Sequence, residues 1–211
     1  MSRIVPRGKT TPLAADDLPQ AVKILIAGGF GTGKTTLVST ISEITPFHTE
    51  ETLTRASIGI DDTSGVELKA TTTVAMDFGR ITLRDNLDLF LFGTPGQDRF
   101  WFMWDELAAG ALCAVVLVDT RRLPVSFPSI DYFERRGLPF VVAVNSFAGS
   151  RTHPVETVRT ALDLNKHVPV LMCDARQRRS VKDLLISALE HALAIEEHAA
   201  TPREFPHRDA Y

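Results

Sequence analysis

The sequence predicts an α/β fold: a mostly parallel sheet with helices on both faces and one antiparallel hairpin edge. Three observations predict it. A short β-branched run, Val22–Ala27, feeds Gly28-Gly29-Phe30-Gly31-Thr32-Gly33-Lys34-Thr35, which fits G-x-x-x-x-G-K-[ST] and opens a helical stretch, Thr36–Ile44. Buried-strand patterns recur at Leu112–Val118, Pro139–Val144 and Val168–Met172, separated by helical patterns, and such alternation lays strands parallel. Thr73–Leu83 and Leu87–Phe92 alternate in hydrophobicity around Arg84-Asp85-Asn86, as a hairpin does.

Each remaining element follows from a local signal. Residues 1–20 carry three prolines and no period, and read as a tail. Residues 45–72 form a long connection rich in Thr, Ser, Asp and Glu, with a short strand expected near Ala56–Ile60. Asp98–Ala109 is expected to be helical, opening on the aromatic cluster Phe100, Trp101, Phe102 and Trp104. Too many directions are aromatic for all four to be core on one helix, so the outward ones form a docking patch unless a loop folds over them. Further helices are expected in Pro124–Arg136, Pro154–Leu164 and Ser180–Glu197, the last with a Ser-Val-Lys-Asp start that resembles a capping box. One domain, residues 21–198, therefore lies between a 1–20 tail and a polar 199–211 tail.

Composition narrows the class. The chain has 211 residues, enough for a good core, and a net charge of −3, with no basic stripe for nucleic acid. The longest apolar run, Ala108–Val118, is too short to span a bilayer, and a cytoplasmic protein is expected. Cys113 and Cys173 are not in a C-x-x-C pair, and read as reduced thiols, the second in a loop.

The glycine loop carries the chemistry. Glycines let successive N–H groups face phosphate oxygens, and the helix N-terminus adds positive charge. Lys34 is expected at the β- and γ-phosphates and Thr35 on Mg²⁺. In an open parallel sheet, ligands bind at the carboxyl ends of the strands. Gly93–Gln97, Asn145–Ala148 and Cys173–Arg176 all follow strands, so they should meet the P-loop on one rim.

Those segments, in that order, resemble the sequence elements of Ras-like small GTPases, over about Val22 to Leu193. The patterns T-T-T-V-A-M-D-F-G-R-I and L-F-G-T-P-G-Q-D-R-F look similar to the bacterial MglA-like branch and, within it, the actinobacterial conservon GTPases. The resemblance implies GTP/GDP and Mg²⁺ as ligands. The phosphates would lie on Gly28, Phe30, Gly31, Thr32, Gly33, Lys34, Thr35, Thr36 and Gly96. Thr35 and Thr73 would serve the metal, Gln97 would orient the attacking water, and Asn145, Ser146, Phe147, Ala175 and Arg176 would line the base. It implies a switch in bacterial signalling with slow hydrolysis. A roadblock (MglB-like) regulator would dock at the switch segments, with a sensor-kinase-associated complex and peripheral membrane recruitment through partners as further expectations.

Three departures bear on that expectation. Gly93 stands where the family has an Asp that holds Mg²⁺ through water. Phe30 stands where Ras has glycine and should crowd the γ-phosphate side, leaving Arg55 as the nearest candidate for an arginine supplied in cis. Ala148 stands where the family has the carboxylate that reads guanine, with Asp174 as its candidate substitute. These favour a second reading, a nucleotide-binding scaffold without turnover. A P-loop ATPase or kinase is the third, with Asp119 as the strand-end acid that would serve it.

Overall fold

A computed structural model describes residues 20–54, 71–84, 86–96 and 102–200, with side chains outside 47–54, 71–75 and 200. Its sheet has seven strands: β1 (Gln20–Ala27), β2 (Phe47–Thr54), β3 (Thr71–Arg84), β4 (Leu87–Gly93), β5 (Cys113–Val118), β6 (Phe140–Asn145) and β7 (Val170–Cys173). Their order is β2-β3-β4-β1-β5-β6-β7. The pairs β4–β1, β1–β5, β5–β6 and β6–β7 are parallel, whereas β2–β3 and β3–β4 are antiparallel.

β2 corrects the expectation for 45–72, a long connection with a short strand near Ala56–Ile60, by placing a strand over Phe47–Thr54. Its sequence, FHTEETLT, is polar because it forms an edge strand, and its backbone pairs with β3 from Phe47↔Phe78 to Thr54↔Thr71. The strand expected near Ala56–Ile60 lies outside the described residues.

Among the described residues five α-helices flank the sheet: α1 (Lys34–Ile41), α2 (Trp104–Ala108), α3 (Phe127–Arg136), α4 (Val155–Ala161) and α5 (Arg178–Ala200). A 3₁₀ turn, Leu123–Ser126, precedes α3. Of the helix expected over Asp98–Ala109, α2 covers Trp104–Ala108, and residues 98–101 lie outside the described residues. The α5 capping reading also changes. The helix starts two residues before Ser180, and the Ser180 hydroxyl accepts from the Asp174 N–H instead.

Alternation along the inner strands divides the core into two layers. On β1, Ile24 and Ile26 face α1 and α5, where Leu37, Val38, Val181 and Leu185 are buried. Leu25 and Ala27 face the other layer with Trp104, Ile130 and Phe133. Burying each such aliphatic or aromatic side chain contributes about 1.5–3 kcal/mol. Cys173 is the buried last residue of β7, not a loop residue. Of the aromatic cluster, Trp104 and Phe102 are described, and they differ. Trp104 is buried against Tyr132 and Phe133, whereas Phe102 is 66% exposed.

Candidate functional site

The P-loop joins β1 to α1 at the carboxyl edge of the sheet. Gly28 (φ 133°) lies against β5: a Cβ there would sit 2.4 Å from the Leu117 carbonyl oxygen, so only glycine fits. The Thr32 hydroxyl donates to the Gly29 carbonyl at 3.0 Å and fixes the curl. Gly33 (φ 105°) caps α1, aiming its first N–H groups into the loop. Thr36, the third residue of α1, is exposed beside this cradle.

Lys34 is 9% exposed and donates to the Gly28 and Gly29 carbonyls, both at 2.8 Å. Burial lowers its pKa to about 8, opposed by the Asp77 carboxylate. A bound phosphate would stabilise the charged ammonium and restore a high pKa. Binding above pH 8 must therefore take up a proton. The affinity for a nucleoside diphosphate should fall about tenfold per pH unit between roughly pH 8.5 and 10. Titration calorimetry in buffers of different ionisation enthalpy checks this through the proton count.

The sequence expectations converge on this loop. Asn145, at the end of β6, donates from Nδ2 to the Thr32 carbonyl (2.9 Å) and accepts the Ala175 N–H on Oδ1 (3.0 Å). One side chain thus joins the P-loop, the β6 end and the loop after β7. The loop after β4 closes the opposite side. A Cβ on Gly96 would lie 2.6 Å from Lys34 Nζ and 2.9 Å from the Phe30 nitrogen. Phe30 itself is 68% exposed, beside a cleft of about 380 Å³ lined by Gly29, Gly96, Arg122, Pro124 and Val125.

The metal edge holds a residue the sequence reading missed. Asp77 lies opposite Gly93 in the β3–β4 ladder, and its Oδ2 accepts the Thr35 hydroxyl at 2.8 Å. The acid expected on β4 is absent, and a carboxylate on the adjacent strand reaches Thr35. A Cβ on Gly93 would lie 2.8 Å from the Asp77 Cβ and 2.9 Å from Oδ2, so the glycine is what admits the carboxylate. The signal was present in A-M-D-F-G-R-I, where a charge interrupts an apolar strand. Threonine hydroxyl and carboxylate are hard oxygen donors of the kind that suit Mg²⁺ beside a polyphosphate. Among the described residues no group of three His, Cys, Asp or Glu could hold a metal ion.

Thr73 lies four residues before Asp77, about 13 Å along the strand. Its backbone pairs with Thr52, and its side chain lies outside the description. Thus β3 brings Asp77 to Thr35. Gln97, Arg55, Phe100 and Trp101 fall outside the described residues.

Arg122, which follows β5, reaches the P-loop. Its Nη2 donates to the Phe30 carbonyl at 3.0 Å. Asp119 does not approach Thr35. It is fully buried and binds Arg121 through both oxygens (2.9 and 2.8 Å), with Arg122 Nε at 3.5 Å. The Arg121 hydrogen bonds chiefly hold its carboxyl below the ordinary range.

At the base end, the Arg121 guanidinium lies 4.1 Å over the Phe147 ring, and the Ser146 N–H donates to the Cys173 carbonyl. Asp174 is engaged by Arg176 and Gln177, whose hydrogen bonds lower its pKa to about 2, that of Arg176 first. Ala148 is exposed.

Comparison with known proteins gives the family and the fold. A family described as "conserved hypothetical ATP binding protein" matches residues 26–195. An uncharacterized protein of Methanocaldococcus jannaschii is 30% identical over 126 residues, 59% of this chain and 69% of that protein. The G domain of the T. maritima FeoB iron transporter superposes with TM-score 0.56 at 16% identity, over 82% of this chain and 99% of that one. The FeoB G domain of Methanococcus jannaschii gives 0.54 at 12% identity, over 82% and 99%. The chain therefore belongs to the conserved hypothetical ATP-binding family and carries it on a nucleotide-binding P-loop fold of the G-domain type.

Proposed function

We propose that the protein is a small Ras-like molecular switch that binds a nucleoside triphosphate with Mg²⁺ and hydrolyses it slowly. GTP is the nucleotide the resemblance to small GTPases implies. The observation that carries the reading is the Thr35–Asp77 pair facing Gly96 across Lys34. These groups surround the place where a γ-phosphate and its metal would enter. The two strands behind them, β3 and β4, lead directly into the segments that a switch must move. Metal capping by Thr73 would require the first residues of β3 to leave the β2 ladder, which is an order change of that kind.

The resemblance to MglA-like and conservon GTPases supports a role in bacterial signalling with a roadblock-type regulator. Exposed Phe30 and Phe102 supply apolar contacts for it. Among the described residues no helix is long and apolar enough to cross a membrane, so recruitment to one would run through partners. The reading without turnover draws on Phe30, whose ring obstructs a partner's arginine.

The deciding experiment starts from protein stripped of nucleotide and titrates it with di- and triphosphates, with and without Mg²⁺. Single-turnover hydrolysis is then followed. Micromolar or tighter binding that strengthens with Mg²⁺ supports the reading, and no nucleotide binding overturns it. Phe30→Gly should raise the single-turnover rate about tenfold, equivalent to ~1.4 kcal/mol of barrier. An unchanged rate removes Phe30 as the brake.

A further inference from the structure

We infer that the site selects its ligand by the phosphates and does not distinguish guanine from adenine, a conclusion that rests on the nucleotide-binding reading. To read guanine, a site needs an acceptor for N1–H and N2–H₂ and a donor for O6. Adenine presents an amino group where guanine has O6, so fixed groups of that kind would also reject it.

The acceptor and the donor expected to read guanine are each absent or committed. The Ala148 side chain is a methyl. Asp174 Oδ1 accepts Arg176 Nε at 2.8 Å and the Arg176 N–H at 3.0 Å. Its Oδ2 accepts Arg176 Nη2 at 2.9 Å and Gln177 Nε2 at 3.0 Å. Those four bonds fill the carboxylate's roughly four acceptor sites. The Ala175 N–H, the donor that would face a C6 oxygen, is held by Asn145 Oδ1 at 3.0 Å. Asn145 Nδ2 is spent on the Thr32 carbonyl. The Phe147 N–H meets the Ser150 hydroxyl at 3.3 Å, and the Ser146 N–H is held by Cys173. The Ser146 hydroxyl fixes no choice, since it rotates and can donate or accept.

Among the described residues, then, the guanine-reading acceptor and donor are missing or engaged, while Lys34 and Thr35 stand at the phosphate end. An aromatic ring such as Phe147 attracts any base face, so stacking there adds affinity without choice. A hydrogen-bonding site rejects the wrong group by about 10⁴–10⁵, and a site lacking those bonds retains only a small preference from shape.

The test uses the full chain stripped of nucleotide, in Mg²⁺, titrated with GDP and ADP. The expected ratio of Kd values is within about tenfold. Ala148→Asp should gain at least about tenfold preference for GDP, with ADP changed less than about threefold, because it supplies the acceptor that is missing. Asp174→Ala should leave the wild-type ratio unchanged. A wild-type preference for GDP above tenfold overturns the inference. So does an Ala148→Asp ratio equal to wild type, or a guanine preference lost in Asp174→Ala. Failure of both nucleotides to bind is a different result, because it overturns the nucleotide reading itself.

Discussion

Asp77→Asn lowers triphosphate affinity in Mg²⁺ by about 10–100-fold, the range typical for losing a group that orients a metal's ligands. In EDTA the same variant binds like the wild type, within about threefold. The reasoning starts from shape. Asparagine keeps the volume, so the β3–β4 ladder is undisturbed, and its amide oxygen still accepts the Thr35 hydroxyl. What it removes is one negative charge, 2.8 Å from the hydroxyl that would reach the metal. Mg²⁺ keeps most of its water and leans on one or two protein oxygens plus phosphate, so losing the carboxylate weakens the ion's hold on the triphosphate. The variant also removes the carboxylate that supports the buried Lys34 ammonium. That smaller loss would act with or without Mg²⁺ and stays within the roughly threefold allowed in EDTA, so the EDTA titration separates the two. If Asp77→Asn retains the full Mg²⁺ dependence of the wild type, Asp77 has no part in holding the ion.

Asp77 also shows what could and could not be read from the sequence. The P-loop was legible because its constraints are local: glycines for the curl, then Lys34 and Thr35 at fixed offsets. The meeting of Asn145–Ala148 and Cys173–Arg176 with that loop was legible as well, since parallel strands deliver their carboxyl ends to one rim. The missing acid was not legible, because its replacement comes from a different strand and depends on register. Only the pairing Asp77↔Gly93 explains both the charge within β3 and the glycine in β4. Arg122 is a similar case: it follows β5, and its contact with the Phe30 carbonyl spans 92 residues. Strand β2 was missed because edge strands are exposed, and polar residues there mimic a loop. Trp104 and Phe102 went opposite ways because α2 begins just after Phe102 and turns only one aromatic face to Phe133.

Exchanging the acid between the two strands tests the same geometry from the opposite direction. Gly93→Asp alone should destabilise the protein by about 3 kcal/mol or more. Directly opposed residues in an antiparallel pair normally keep their Cβ atoms ~4.5–5.5 Å apart. At Gly93 a Cβ would stand 2.8 Å from that of Asp77, in a buried position beside β1. Overpacking of this kind costs ~1–3 kcal/mol. A second carboxylate within a few ångströms of the first adds repulsion, which the pair relieves only by taking up a proton. For a chain of this size the melting temperature should fall by roughly 6–12 °C. Asp77→Ala would not relieve the clash, since its Cβ remains. Asp77→Gly does, at a cost of ~0.5–1 kcal/mol for glycine in a strand. The double variant Asp77→Gly/Gly93→Asp should therefore recover most of the lost stability. It should also regain Mg²⁺-dependent triphosphate binding to within about tenfold of wild type, because the carboxylate now reaches the same hydroxyl from β4. A double variant no more stable than Gly93→Asp would show that the close approach of these two residues is not what keeps position 93 a glycine. One that is stable but has lost its Mg²⁺ response would show that the acid works only from β3.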